Sequence, residues 1–388
     1  MIDEAGLRWA AAMRRGAFDA AHAISDVVLA NRNPSGRDDP RLPYHLRWVW
    51  DGRDLAGRNV LVRCYHGLGD TIQFARFLPV LRQRAASVTV EVQPELFRLL
   101  AMMQGPDRLI PFRPDEPTRP AERDVEIMEL AHALRLDPGA VPVPYLRAPP
   151  APIGSRDGLN VGLCWRAGDW DRGRSVPAGA LRAACDQPRV HVCSLQYREG
   201  DADAEASDMD CRVQPSNDES RADAGQRETA LIPSLIDENS FKPSHCEPPL
   251  DGVAIQGRRT DVGAALDCFV AGAPRSDEFC RQESAFPRLG INRAIPPGGD
   301  VMATASAIVG LDLVVTVDTM VAHLAGALGK PTWLLLRHEC DWRWMERRAD
   351  SPWYPSMRLY RQDVEGDWHA PLERLAADLR LRATAAGC

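Results

Sequence analysis

The spacing of apolar and polar positions changes character several times along the chain, and each change marks an element. Leu7, Ala11 and Met13 share a helical stretch that Gly16 interrupts, and Phe18, Ala21, Ile24, Val28 and Leu29 follow with helical spacing, which predicts two short helices. Residues 32–57, rich in Pro, Gly and Asp, read as a linker carrying an ordered aromatic stretch. Asn59–Tyr65 is an apolar run of strand length, Thr71–Arg82 has helical periodicity, Ser87–Val92 is a strand and Pro94–Met103 a helix. Further short strands are expected at Arg108–Pro111 and Asp124–Met128. Strands alternating with helices at this spacing predict βαβ units and a parallel sheet. The Pro-rich stretch Asp137–Ser155 reads as an interdomain linker.

The same alternation then restarts, with strands at Leu159–Trp165 and Val190–Leu195 around a helix at Ala178–Cys185. It resumes with a strand at Leu313–Val317, a helix at Thr319–Leu328 and a strand at Pro331–Leu336, and an amphipathic helix at Pro371–Ala385 closes the chain. Two α/β halves of this kind face each other across a cleft at the C-terminal ends of their strands, where open α/β sheets bind ligands. The expected divisions are a helical unit with linker at 1–57, a first Rossmann-like domain at 58–152, a second at 153–370 and a C-terminal helix at 371–388.

Residues 199–300 break this alternation. Nine acids against two bases fall between Glu199 and Asp223, and the apolar runs are short and interrupted by Pro. Such a composition buries little apolar surface, so the stretch is expected to be mobile or loosely packed, with short helices at most at Leu231–Ile236 and Val262–Val270.

Composition narrows the class of protein. At 388 residues the chain has room for two domains, and a net charge of −7 argues against a general nucleic-acid binder. No apolar run reaches the length of a membrane span, and the N-terminal residues lack the apolar core of a signal peptide, so a cytoplasmic protein is expected. The ten cysteines include no CxxC pair and match no metal pattern; Cys64, Cys164 and Cys193 lie in strand-like runs, as buried small side chains do.

Three motifs could carry chemistry. The first, Gly67-Leu68-Gly69-Asp70-Thr71, joins a strand to a helix. Glycine lets backbone approach a ligand, the helix start offers free N–H groups, and Asp70 is either a helix cap or a general base at the cleft. The second, Cys164–Pro177, leaves a strand with Arg166, Arg172 and Arg174, either as a solvated loop or as a cradle for a diphosphate. The third begins at Asp318, placed where an N-cap belongs, and sets Thr319 and His323 four residues apart near a helix N-terminus. That spacing suits a phosphate ester, although a histidine in this position also serves as a packed core residue.

Together and in this order the motifs resemble the family 9 glycosyltransferases, the heptosyltransferase-like group with a GT-B fold. The resemblance is nearest to the bacterial branch that carries tetratricopeptide repeats ahead of the transferase, and the helical pair at the N-terminus resembles one such repeat unit. It covers Arg63–Gln196 and about Asp300–Gln362. YHGLGDTIQFARFLP is similar to that branch's first strand–helix motif, VTVDTMVAHLAGALGKPTWLLL to its donor-site strand–helix–strand, and DWRWMERRADSPWYPSMRLYRQ to its C-terminal signature.

The resemblance implies inverting transfer of a sugar from a nucleotide-diphosphate sugar to an acceptor hydroxyl, with no cofactor and no required metal. The family's base falls on Asp70. A family lysine that contacts the donor phosphates is replaced by Arg174, ahead of Ser-Val-Pro. Gly69, Asp318, Thr319, His323, Trp342 and Arg343 fall on the donor side, with core packing as the other reading of Trp342 and Trp344. His66, Arg76 and His132 are the candidates on the acceptor side. The implied partners are the nucleotide-sugar donor and a glycan, lipid-linked or protein acceptor, in bacterial cell-surface glycan assembly such as lipopolysaccharide, with peripheral association with the inner membrane. Two departures stand out: 199–300 replaces a compact segment that helps hold the nucleotide base, and one repeat-like unit stands where an array could bind a protein acceptor. The rival expectations are a catalytically degenerate nucleotide-sugar-binding or scaffold protein and a nucleotide-sugar epimerase.

Overall fold

The structure, a computed structural model, describes residues 4–116, 118–152, 157–196, 292–293 and 301–385. The chain opens with α1 (Glu4–Arg14) and α2 (Phe18–Asn31), turned at Gly16, whose φ of +71° is the left-handed conformation glycine tolerates best. The buried face of α1 is Gly6, Ala10, Ala12 and Met13, whereas Leu7 is exposed. Two contacts anchor α1: Trp9 meets Trp342 edge-on at 4.9 Å, and the Glu346 N–H donates to the Arg14 carbonyl at 3.1 Å.

The segment read as a linker lies against the first α/β half. Val49, Trp50 and Leu55 are buried, and Glu129 fixes the segment by accepting from the Trp50 N–H at 2.9 Å and pairing with Arg32 at 2.8 Å.

The first sheet contains β1 (Asn59–Arg63), β2 (Ser87–Val92), β3 (Arg108–Pro111) and β4 (Arg123–Glu126), in the order β3-β2-β1-β4 with every pair parallel. Val62 pairs with Val90 on one side and Val125 on the other, and all three are fully buried. The helix expected over Thr71–Arg82 is broken in two. It runs as α3 (Leu68–Phe74), a 3-10 turn at Ala75–Phe77, and α4 (Leu78–Arg84). Pro79 is the cause: it has no N–H for the preceding turn and fits only the start of a new helix. The half is completed by α5 (Pro94–Leu100) and α6 (Leu130–Leu134).

The second sheet contains β5 (Leu159–Cys164), β6 (Val190–Ser194), β7 (Asn292–Arg293), β8 (Leu313–Val317), β9 (Thr332–Leu336) and β10 (Met357–Arg361). Their order is β10-β9-β8-β5-β6-β7, again wholly parallel. Around it lie α7 (Ala178–Cys185), α8 (Val301–Gly310), α9 (Met320–Ala327) and α10 (His369–Ala385). The expectations for 199–300, including the helices at Leu231–Ile236 and Val262–Val270, lie outside the described residues, except that Asn292 and Arg293 pair beside β6. Cys64, Cys164, Cys185 and Cys193 are buried.

This is the two-sheet α/β arrangement expected of a GT-B fold. The Pro-rich connector is strapped to both halves: Tyr145 and Leu146 N–H groups share the Ala327 carbonyl at 3.1 and 3.2 Å, and the Tyr145 hydroxyl reaches the Ile72 carbonyl at 3.0 Å. One apolar cluster runs continuously from Val62 and Phe77 through Ala322 to Trp353 and Tyr354, so the halves share a core along the contact of α3 with α9. In each sheet the chain reverses its direction of strand addition, between β1 and β4 in one and between β5 and β8 in the other. Ligands of open α/β sheets bind beyond the carboxyl ends of strands at such points. The loops that leave β1, β5 and β8 there are the three motif loops.

Candidate active site

The first loop delivers Asp70 to the third position of α3. Its Oδ2 accepts the Gly67 N–H at 3.2 Å, so Asp70 satisfies an open helix donor from inside the first turn, and Gly67 occupies the cap position. Its other oxygen, Oδ1, accepts from Arg343 Nη2 at 2.6 Å, and the side chain keeps about a quarter of its surface exposed (26%).

Arg343 belongs to the 3-10 turn Trp342–Trp344 that follows β9, and Asp341 caps that turn by accepting the Arg343 N–H at 2.9 Å. The guanidinium is held on three sides: Nε donates to Gln73 Oε1 at 2.7 Å, Nη1 to Asp341 Oδ1 at 3.0 Å and Nη2 to Asp70. It lies over the Trp342 ring at 4.3 Å. Burial opposes its charge, but Asp341 and Asp70 outweigh burial and raise its pKa above the ordinary arginine value.

The second loop leaves β5 and is organised by Gln196, whose Oε1 accepts the Trp165 and Arg166 N–H groups at 3.2 and 2.9 Å. It ends in a 3-10 segment that carries Arg174 to the end of β8. There Arg174 Nη1 donates to the Asp318 carbonyl at 2.8 Å and lies 3.6 Å from Asp318 Oδ2, while Nε lies 3.5 Å from Asp171. Arg337 joins the same Asp171 at 3.2 Å. The arginines of this cluster are thus matched to carboxylates of the chain, and an incoming anion has to compete with them.

The third loop corrects one expectation. The N-cap of α9 is Thr319, not Asp318. Thr319 is extended and its Oγ1 accepts the Val321 N–H at 3.3 Å, which places Asp318 one residue earlier, at the strand end. Asp318 is buried, and its pKa is pushed up to about 6, first by burial and then by Asp341, with Arg174 opposing. Of the two residues expected on one face, Thr319 is partly exposed and His323 is not. His323 is buried with Nδ1 3.0 Å from the Tyr354 hydroxyl and its ring stacked on Trp344 at 5.3 Å. Burial, followed by Arg343, Arg76 and Arg174, lowers its pKa well below the usual value, so the ring is neutral.

The remaining candidates fall in different places. Gly69 is the contact of α3 with α9, facing Met320 and His323. His66 follows β1 and pairs with Glu126 at 3.0 Å. Arg76 does not face an acceptor space: it is wholly buried in the shared core and donates to the carbonyls of Trp353 (2.7 Å), Gln73 (3.2 Å) and Pro138 (3.3 Å), among the rings of Tyr145, Trp353 and Tyr354. Six residues after Asp70, Arg76 lies off the face that carries Asp70 in an α-helical register. His132 lies beneath α2, bonded to Asp26 at 2.8 Å, and shares no partner with Asp70. Trp342 packs edge-on against Trp9 and Trp353. A cavity of about 70 Å³ under the helical pair includes Trp9, Phe74, His132 and Trp342 in its lining but neither Asp70 nor Thr319.

Gln73 and Asp341 were not singled out from the sequence. Gln73 stands three residues after Asp70, on the same helix face, and Asp341 precedes the Trp-Arg-Trp turn as an aspartate cap does. Among the described residues no group of three His, Cys, Asp or Glu is placed to hold a metal ion, and no helix is long and apolar enough to cross a membrane.

No protein-family model matches the sequence. The chain is 32% identical over 108 residues to protein FlbA of Caulobacter vibrioides, a match that covers 26% of this chain and spans only 18% of that protein. Among solved structures it is similar to a glycosyl transferase family 9 protein from Veillonella parvula, at 10% identity and a TM-score of 0.44, over 85% of this chain and 99% of that one. It is also similar to the ADP-heptose lipopolysaccharide heptosyltransferase II of E. coli, at 14% identity and a TM-score of 0.42, over 84% and 99% of the two chains.

Proposed function

We propose that the protein is a glycosyltransferase that moves a sugar from a nucleotide-diphosphate sugar to an acceptor hydroxyl with inversion. The observation that carries the reading is that Asp70, at the start of α3, pairs with Arg343, while its neighbour Gly69 rests on Met320 and His323 at the start of α9, where the motif loops of both sheets converge. The motif resemblance of the sequence supports the same reading.

In this mechanism the acceptor hydroxyl donates to Asp70, which takes its proton as the acceptor oxygen bonds to the anomeric carbon. The bond from that carbon to the diphosphate oxygen breaks on the opposite face, and the diphosphate leaves with the electron pair. The first N–H groups of α9 and the guanidinium groups of Arg174 and Arg343 stabilise the charge that develops there. No step needs a metal, since helix N–H groups and arginines supply the countercharge. The acceptor is a glycan, lipid-linked or protein hydroxyl, and we place the reaction at the cytoplasmic side of the inner membrane in cell-surface glycan assembly.

A thermal-shift panel of ADP-, GDP-, UDP- and dTDP-sugars tests the reading. A specific donor raises the melting temperature by mass action, and sugar release from that donor then depends on an acceptor. A changed sugar in the absence of acceptor identifies an epimerase, and nucleotide binding without sugar release identifies a binding or scaffold protein.

A further inference from the structure

Both oxygens of Asp70 are engaged: Oδ2 by the Gly67 N–H that starts α3, and Oδ1 by Arg343. A hydroxyl that gives its proton to Asp70 needs hydrogen-bond distance to one of them, and Arg343 stands on the oxygen that the helix does not need. Gln73 shows the same arrangement from the other side. Its Oε1 accepts from Arg343, while its buried Nε2 has no hydrogen-bond partner among the described residues. A buried amide with an open donor marks a polar contact that this arrangement does not make. Arg343 also lies between Asp70 and the end of β8, bonded to Asp341 and within electrostatic reach of Asp318.

We propose that Arg343 is a positioning residue that couples the donor to the base: it holds Asp70 when the site is empty, and the donor's diphosphate draws it away and frees Oδ1 for the acceptor hydroxyl. This rests on the donor site proposed above. A diphosphate offers more negative charge than one carboxylate and several oxygens to the planar guanidinium fork, which is the geometry arginine matches best. Transfer is then ordered, with the donor bound before the acceptor can be activated.

The test is a double-mutant cycle on the full chain, titrated calorimetrically with inorganic pyrophosphate and, in parallel, with ADP, GDP, UDP and dTDP. Asp70→Asn releases Arg343, so pyrophosphate binds about tenfold more tightly than to the unmodified protein. In an Arg343→Met background, with Arg343→Gln as a second background should the first fail to fold, Asp70→Asn gives less than a twofold gain. A gain of equal size with and without Arg343 means that Asp70 acts only through its charge, and that result overturns the coupling, as does no gain in either. Absence of pyrophosphate and nucleotide binding in every form overturns the donor site itself, a failure distinct from binding without coupling.

Discussion

A side-chain carbon placed on Gly69 would lie 2.9 Å from Cδ2 of the His323 ring and 3.5 Å from the Met320 Cα. The first turn of α3 therefore rests directly on α9, and hydrogen is the only side chain that fits between them. The ring cannot step aside, since Tyr354 holds its Nδ1 and Trp344 stacks on its face. Gly69→Ala is expected to destabilise the protein by about 1–3 kcal/mol, the usual cost of overpacking, and to separate Asp70 from Arg343. Urea unfolding checks the first effect and loss of sugar transfer the second. A variant of unchanged midpoint and activity means that the helices do not meet this closely.

Arg174 and His323 are expected to part company. Arg174→Ala weakens binding of a nucleoside diphosphate far more than binding of the bare nucleoside, by about 1.5–3 kcal/mol for a charge-assisted contact. His323→Ala removes a neutral buried ring and leaves the Tyr354 hydroxyl without that partner, so its main effect is on stability, about 2–4 kcal/mol. Calorimetric titration with both ligands, beside denaturant unfolding, separates the two. Equal weakening of diphosphate and nucleoside by Arg174→Ala assigns Arg174 to folding.

Asp318 sets a pH dependence. Its folded pKa, pushed up to about 6 by burial and by Asp341, exceeds the ordinary value of 3.8. Between those values the folded protein keeps a proton that the unfolded chain has released. The stability from this group is therefore fully present below pH 3.8 and is lost as pH rises through 6. Asp318→Asn removes the dependence, so it stabilises the protein relative to the unmodified chain at pH 8, by about 3 kcal/mol, and little at pH 4. Only the difference between the two proteins is informative, because other groups titrate in both. A constant difference from pH 4 to pH 8 contradicts the assignment.

Much of the fold was legible in the sequence because parallel strands buried on both faces read as continuous apolar runs. Leu313–Val317 and Ala178–Cys185 have the ends the pattern predicts, and β5, β6 and β9 fall within a residue of theirs. The helix over Thr71–Arg82 was misread because apolar periodicity continues through Pro79, whereas the backbone hydrogen bonding cannot. Leu7 shares the apolar periodicity of Met13, yet the buried face of α1 is Gly6, Ala10, Ala12 and Met13 with Trp9 packed beside them, and Leu7 is exposed.

The site was legible as three loops and not as contacts. Asp70 and Arg343 are 273 positions apart and Arg174 and Asp318 are 144 apart, and no local pattern encodes either pairing. The same limit hid Gln73, an unremarkable helical glutamine until Arg343 arrives at its carbonyl oxygen, and it left Arg76 an acceptor-side candidate although three carbonyls and three rings enclose it.

The central claim is that Asp70 takes the proton of an acceptor hydroxyl, and the turnover of Asp70→Asn with a saturating nucleotide-sugar donor and acceptor tests it most directly. Asparagine keeps the size of the side chain and an oxygen for the Gly67 N–H, so the fold and donor binding survive while the base is gone. The account predicts turnover lower by about 10²–10⁴-fold, with a melting temperature within a few degrees of the unmodified protein. Turnover equal to that of the unmodified protein would remove Asp70 from the mechanism.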